Sequence, residues 1–207
     1  MKRKTPKKID PTFKSRFGIK TSIRYFLQPI VEKGNEKQFK RAWKRFYSKA
    51  ESPNSDTRTK KIDAFFRHLE KLGSDERYCQ RVRIRFISPK VGYGVFALCD
   101  IPPYSILHHY TGVFRRDRDI PEKNNSTFAI EDFSSFSIDA AKMGNWTRFM
   151  NHGEEKASTT NVIVWEHYLE EGPRIVFTSG RNGIKKGRQL LYPYGDEYWE
   201  GSMIVTF

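Results

Sequence analysis

Apolar positions near the N-terminus recur with a helical period. Over residues 35–50, Phe39, Ala42, Trp43, Phe46 and Tyr47 return at three- and four-residue steps with Lys and Arg between them, which predicts an amphipathic helix. Thr57 to Leu72 repeats the pattern with Ile62, Phe65, Phe66, Leu69 and Leu72; Asp56 stands where an N-cap belongs and Gly73 where a helix stops. The short loop 51–56 between them predicts a helical hairpin whose aromatic residues serve as core. From Arg81 the period changes to two: Val82, Ile84 and Phe86 alternate with Arg81, Arg83 and Arg85, the mark of a half-buried strand. Short strands are expected at Gly94–Leu98, Ile106–Thr111, Phe128–Glu131, Phe136–Asp139, Asn161–Trp165 and Arg174–Ser179, separated by the turn pairs Pro102-Pro103, Asn124-Asn125, Gly172-Pro173 and Asn182-Gly183. The fold class is mostly β with some α: several small sheets preceded by a helical N-terminal extension. There is no internal repeat and no apolar run near the ~20 residues that cross a bilayer.

Charge divides the chain. Residues 1–90 carry 26 Lys+Arg against 9 Asp+Glu, a net +17, whereas residues 91–207 carry 12 against 15, a net −3. With the change of period this suggests a basic flexible leader over 1–20, a helical extension over 21–80 and a second domain over 81–207. The basic part is either a footprint for sequence-independent contact with nucleic acid or a solvated face, and the two readings stay open on charge alone. Lys2-Arg-Lys-Thr-Pro-Lys-Lys8 has the composition of a nuclear address or a nucleic-acid arm. The mildly acidic second half suits a basic substrate. The N-terminus lacks the apolar stretch of a secretory signal, so a soluble protein is expected, in a bacterial cytoplasm or nucleoid or in a nucleus. Cys79 and Cys99 make no zinc spacing, so no metal is expected, and both are read as buried thiols.

Three blocks carry chemistry. Val91-Gly-Tyr-Gly-Val-Phe-Ala97 resembles a phosphate-binding glycine loop only superficially, because it runs into a strand and a proline turn rather than a helix. Trp146-Thr-Arg-Phe-Met-Asn-His152 follows, and then Gln189-Leu-Leu-Tyr-Pro-Tyr194 with Gly195-Asp196 and Trp199. In this order and spacing the blocks resemble the SET domain of protein lysine methyltransferases over about residues 82–200. The likeness is to compact viral and bacterial members, chlamydial ones included, which lack the flanking zinc modules. Two departures stand out: Gln189 replaces a glutamate, and Pro193 replaces the aspartate between the tyrosines. Proline removes an N–H donor, so this strand should end there or lie at an edge.

The resemblance implies a threaded, knot-like crossing at Asn151-His152 and S-adenosylmethionine as methyl donor, with S-adenosylhomocysteine as product. It places Gly92, Tyr93, Gly94, Asn151, His152 and Trp199 around that cofactor. It makes Tyr194 the catalytic tyrosine, Tyr192 the residue that limits the methylation state, and Tyr110, Phe136 and Tyr192 the walls of a lysine channel. The implied substrate is a basic protein such as a histone or histone-like protein. The alternative is a SET fold without catalysis that binds chromatin or nucleic acid through residues 1–80.

Overall fold

A computed structural model describes residues 12–48, 57–72, 75–122, 124–130, 133, 135–153 and 159–194. In chain order the elements are α1 (Phe13–Phe17), β1 (Arg24–Tyr25), β2 (Ile30–Val31), α2 (Glu36–Tyr47), α3 (Thr57–Leu72), α4 (Glu76–Cys79), β3 (Val82–Ser88), β4 (Gly92–Ala97), β5 (Ile106–His109), β6 (Val113–Arg116), β7 (Thr127–Phe128), β8 (Phe136–Asp139), β9 (Met143–Gly144), β10 (Asn151–His152), β11 (Val162–Leu169), β12 (Gly172–Ser179) and β13 (Leu191–Tyr192). A four-stranded sheet runs β2-β6-β8-β7, a three-stranded sheet β11-β12-β5, and the pairs β3-β4, β1-β9 and β10-β13 complete the strands. This is the mostly β architecture of small sheets that the alternating pattern predicts. The predicted Asp56 cap, the Gly73 stop, Glu131 and the basic run 2–8 lie outside the described residues. Among the described residues no helix is long and apolar enough to cross a membrane, and no group of three or more His, Cys, Asp or Glu is placed to hold a metal ion.

Every residue of β12 is buried, because the strand feeds two cores. Ile175 and Phe177 face the main core with Trp146, Leu190 and Tyr192, whereas Val176 faces Ile62, Phe65, Phe66 and Leu69 of α3. The helix α3 also packs Phe65 and Phe66 on His109, whose imidazole burial holds well below its ordinary pKa. The helix α2 goes elsewhere. Phe39 lies against Phe114 and Phe136, and the Trp43 indole N–H donates to the carbonyls of Leu169 and Glu170 at the β11–β12 turn. The aromatics of both helices are core, as their spacing predicts. Their apolar faces fill two separate clusters.

The leader expected over residues 1–20 is corrected at its end. Thr12 and Ser15 form a capping box at the start of α1, and Phe13 is 1% exposed, wedged edge-on against Tyr25 and Phe149. Ile19 is buried as well. The following residues are woven into the β domain: β1 lies parallel to β9, and β2 parallel to β6. The anchor beneath this segment is polar. Asp75 is fully buried; it pairs with Arg16 at 2.9 Å, accepts the Tyr25 hydroxyl and lies 3.4 Å from His108 Nε2. Cys79 is buried beside it, and burial raises its thiol pKa to about 12. Cys99, also expected to be buried, is exposed, since it lies just past the end of β4 in an open turn.

Candidate active site

The crossing of β4, β10 and β13 brings two of the sequence blocks together and sets the third beside them. Asn151 and His152 run parallel to Leu191 and Tyr192, with Gly153 N–H donating to the Tyr192 carbonyl at 3.0 Å. Asn161 clasps the same strand from the other side: its amide donates to the Gln189 carbonyl at 2.8 Å and its carbonyl oxygen accepts Leu191 N–H at 3.1 Å. Pro193 follows directly, and β13 stops at Tyr192, as a residue without an N–H requires. The Asn151 amide donates to the Tyr93 carbonyl at 3.1 Å, tying β10 to β4. At Gly94 three side-chain ends close on the backbone: a Cβ there would stand 2.6 Å from Gln189 Nε2 and Ile87 Cδ1 and 3.1 Å from Asn151 Nδ2. Gly92 opens β4 at φ +76°, in the left-handed region that favours glycine. The half-exposed Tyr93 ring leans edge-on against Phe149.

Beside this crossing stands a cluster of rings. Tyr192 packs on Tyr194 at 4.9 Å, on Phe177 at 5.1 Å and on Phe128 at 6.1 Å. Tyr110 closes the group against Phe128 and Phe177. The hydroxyls are aimed by main-chain carbonyls: Tyr194 donates to Met150 at 2.9 Å and Tyr110 to Ser126 at 2.8 Å. The Tyr194 N–H donates to His152 Nδ1 at 3.2 Å, which requires that nitrogen to carry a lone pair. Arg148 stands behind, donating to the Ala140 carbonyl at 2.7 Å and the Ser126 hydroxyl at 2.9 Å. Burial pushes its guanidinium pKa down, and Tyr110, Asp139 and Tyr194 pull it back up.

The structure therefore gathers Gly92, Tyr93, Gly94, Asn151 and His152 on one side and Tyr110, Tyr192 and Tyr194 on the other. Phe136 is not among them. It is fully buried, with its ring against Phe39 and Phe133, in the part of the core that α2 covers. The rings of this cluster that sequence reasoning missed are Phe128 and Phe177. Phe177 was within reach, because alternation along β12 puts Ile175 and Phe177 on one face. Trp199, Gly195 and Asp196 lie outside the described residues.

This fold and this arrangement of blocks define a class. A SET-domain family model matches residues 92–195, half of the chain, and the chain belongs to the SET-domain family. It is similar to the histone-lysine N-methyltransferase EHMT1 of Homo sapiens, 34% identical over 114 residues that cover 53% of this chain and 9% of that protein. It is also similar to the histone-lysine N-methyltransferase EZH2 of Chaetomium thermophilum, 32% identical over 120 residues, 52% of this chain and 8% of that one. The match thus spans less than a tenth of the length of either relative. The solved structure of ATXR5 in complex with histone H3.1 shares the fold at 18% identity and a TM-score of 0.60, covering 84% of this chain and 82% of that one. That likeness of fold extends outside residues 92–195.

Proposed function

We propose that this chain is a protein-lysine N-methyltransferase that transfers a methyl group from S-adenosylmethionine to a lysine of a basic protein, a histone or histone-like protein. The observation that carries the reading is the convergence of Tyr110, Tyr192 and Tyr194 with Phe128 and Phe177 beside the Gly94–Asn151 crossing. Histone-lysine methyltransferases among the relatives and the net charge of −3 over residues 91–207 support it. When bound, S-adenosylmethionine supplies a methyl carbon on a positively charged sulfur, which a neutral amine attacks in line. At Gly92 a Cβ would meet nothing within 4 Å, and this open backbone beside the half-exposed Tyr93 fits such a group. Gly92, Tyr93, Gly94, Asn151 and His152 would hold it through main-chain groups and the Asn151 amide, with Trp199 assigned by resemblance.

The work left to the protein is alignment and delivery of the amine without its proton. A free lysine titrates near ~10.4, and both desolvation and a nearby positive charge lower that value. Tyr110 and Tyr192 are 3% and 7% exposed and Phe177 is fully buried, so the rings exclude water from an amine held among them. The half-buried Arg148 guanidinium adds a fixed positive charge on the same side as Tyr110 and Tyr194. The Tyr194 hydroxyl, fixed by Met150, orients the reacting groups.

Two expected results test the parts of this site. Asn151→Ala removes the amide that joins β10 to β4, so titration calorimetry should give an affinity for S-adenosylhomocysteine weaker by up to about tenfold, the worth of one hydrogen bond. An unchanged Kd would remove Asn151 from the cofactor site. Tyr192 keeps a hydroxyl that crowds the amine, so wild type is expected to stop mainly at monomethyl-lysine. In Tyr192→Phe, mass spectrometry should show a shift toward di- and trimethyl product; abundant trimethyl-lysine from the unaltered chain contradicts the assignment.

A further inference from the structure

The positions of α2 that the core does not use form a second stripe. Lys37, Lys40, Arg41, Lys44 and Arg45 follow one another at steps of three, one, three and one, the spacing of a single helix face, and all five are exposed. They span about 12 Å along the axis at 1.5 Å per residue. Among the described residues none of the five pairs with a carboxylate. The one acidic residue of the helix, Glu36, is engaged at its start, where its carboxylate accepts the Gly34 N–H at 2.8 Å. On the opposite side Phe39 and Trp43 are 4% and 3% exposed. On this face the helix thus presents five cations, on a rigid element fastened to the β domain by Trp43.

We infer that the solvent face of α2 is a docking surface for the phosphate backbone of nucleic acid. An interfacial membrane helix needs an apolar face to insert, and here that face is consumed by the core. A protein partner is held by aromatic or aliphatic anchors in a patch depleted of charge, and the stripe has neither. Phosphates ask only for cations in a row, and they are contacted without regard to base sequence. The buried aromatics remove base stacking from α2 as well. Among the described residues of 1–80, over which a nucleic-acid surface is expected, the inference assigns one face of one helix. The inference takes its purpose from the proposed action on a basic, histone-like protein, because such substrates sit on DNA; its test needs no methyl transfer.

The test uses the whole chain and a random-sequence DNA duplex at low salt, followed by fluorescence anisotropy. Lys40→Glu with Arg41→Glu and Lys44→Glu should weaken binding more than tenfold. It should also flatten the log–log dependence on salt by about 3, near 0.9 for each phosphate that is no longer neutralised. The neutral triple Lys40→Gln, Arg41→Gln and Lys44→Gln keeps helix propensity and should show the same direction, so unfolding cannot account for the loss. Lys60→Glu with Lys61→Glu and Arg67→Glu changes the net charge of α3 by the same amount and should weaken binding far less. Methylation of a free peptide should stay unchanged in the α2 variants. The inference is overturned if wild type does not bind the duplex, or if the α2 and α3 variants lose affinity equally. It is also overturned if the α2 variants lose binding to nucleosomes while keeping naked DNA, which would make the partner an acidic protein surface.

Discussion

Tyr194→Phe is expected to lower turnover by about 10²–10³-fold, the usual cost of removing one hydroxyl or amide that acts on the transition state. The ring loses only its hydroxyl. Its packing on Tyr192 and His152 and its main-chain bond to His152 Nδ1 remain. Binding of S-adenosylmethionine should therefore stay near that of wild type, because the lost interaction matters in the transition state and not in the ground state. Rapid-quench kinetics with calorimetry on the same preparation separates the two. Wild-type turnover in the variant removes Tyr194 from the chemistry; an equal loss of binding and turnover makes it a packing residue.

The second large effect concerns stability. Asp75→Ala should destabilise the fold by about 3–5 kcal/mol, the cost of breaking a buried ion pair by removing one partner. The carboxylate is the common partner of Arg16, Tyr25 and His108, so its loss leaves a guanidinium that is 14% exposed and a buried imidazole uncompensated. Burial raises the Asp75 pKa, but the hydrogen bond and charge of His108, the Tyr25 hydroxyl and Arg16 outweigh it and set the net shift downward. A carboxyl lower in the folded than in the unfolded chain stabilises above the unfolded value of about 3.9, and that stability is lost as pH falls through the folded value. Wild type should accordingly lose stability below about pH 4, and Asp75→Ala should be weaker at neutral pH with a flatter decline in acid. Thermal melts across pH check both. Because Arg16 lies in α1, the variant should also be cut faster by trypsin between Lys14 and Arg24. A melt within about 0.5 kcal/mol of wild type would mean that the cluster does not anchor the segment.

How far the sequence carried these conclusions depends on the length of each pattern. The helices α2 and α3 each show four or more apolar residues on one period, and their ends agree with the expectation to within a few residues. Of the strands from Val82 onward, β3, β4, β5, β8, β11 and β12 were legible from their apolar runs and turn pairs, and Pro193 marked the end of β13, whereas β6 was not expected. The segment from Thr12 to Val31 was not. Its strands are two residues long, too short to show a period, and in α1 a single buried ring, Phe13, stands among Lys and Arg that read as a solvated leader. Nothing local announces that Tyr25 meets Asp75 fifty residues later. In the site, motif spacing found the residues at the crossing, while the membership of the ring cluster beside it depended on side-chain direction. The strand β8 is buried at every position, so alternation does not say which way Phe136 points. Phe128 was expected to open a strand, but the observed strand is two residues long and gives no alternation from which to read its direction.

The central claim is that this chain moves a methyl group to a lysine nitrogen. The most direct measurement incubates wild type and Tyr194→Phe with methyl-labelled S-adenosylmethionine and core histones, then locates the label by tandem mass spectrometry. Label is expected on the ε-nitrogen of lysine, mainly as a single methyl, with transfer depressed by orders of magnitude in the variant. The claim is contradicted if wild type, shown to bind S-adenosylmethionine, leaves the histones unlabelled, or if both proteins label them equally.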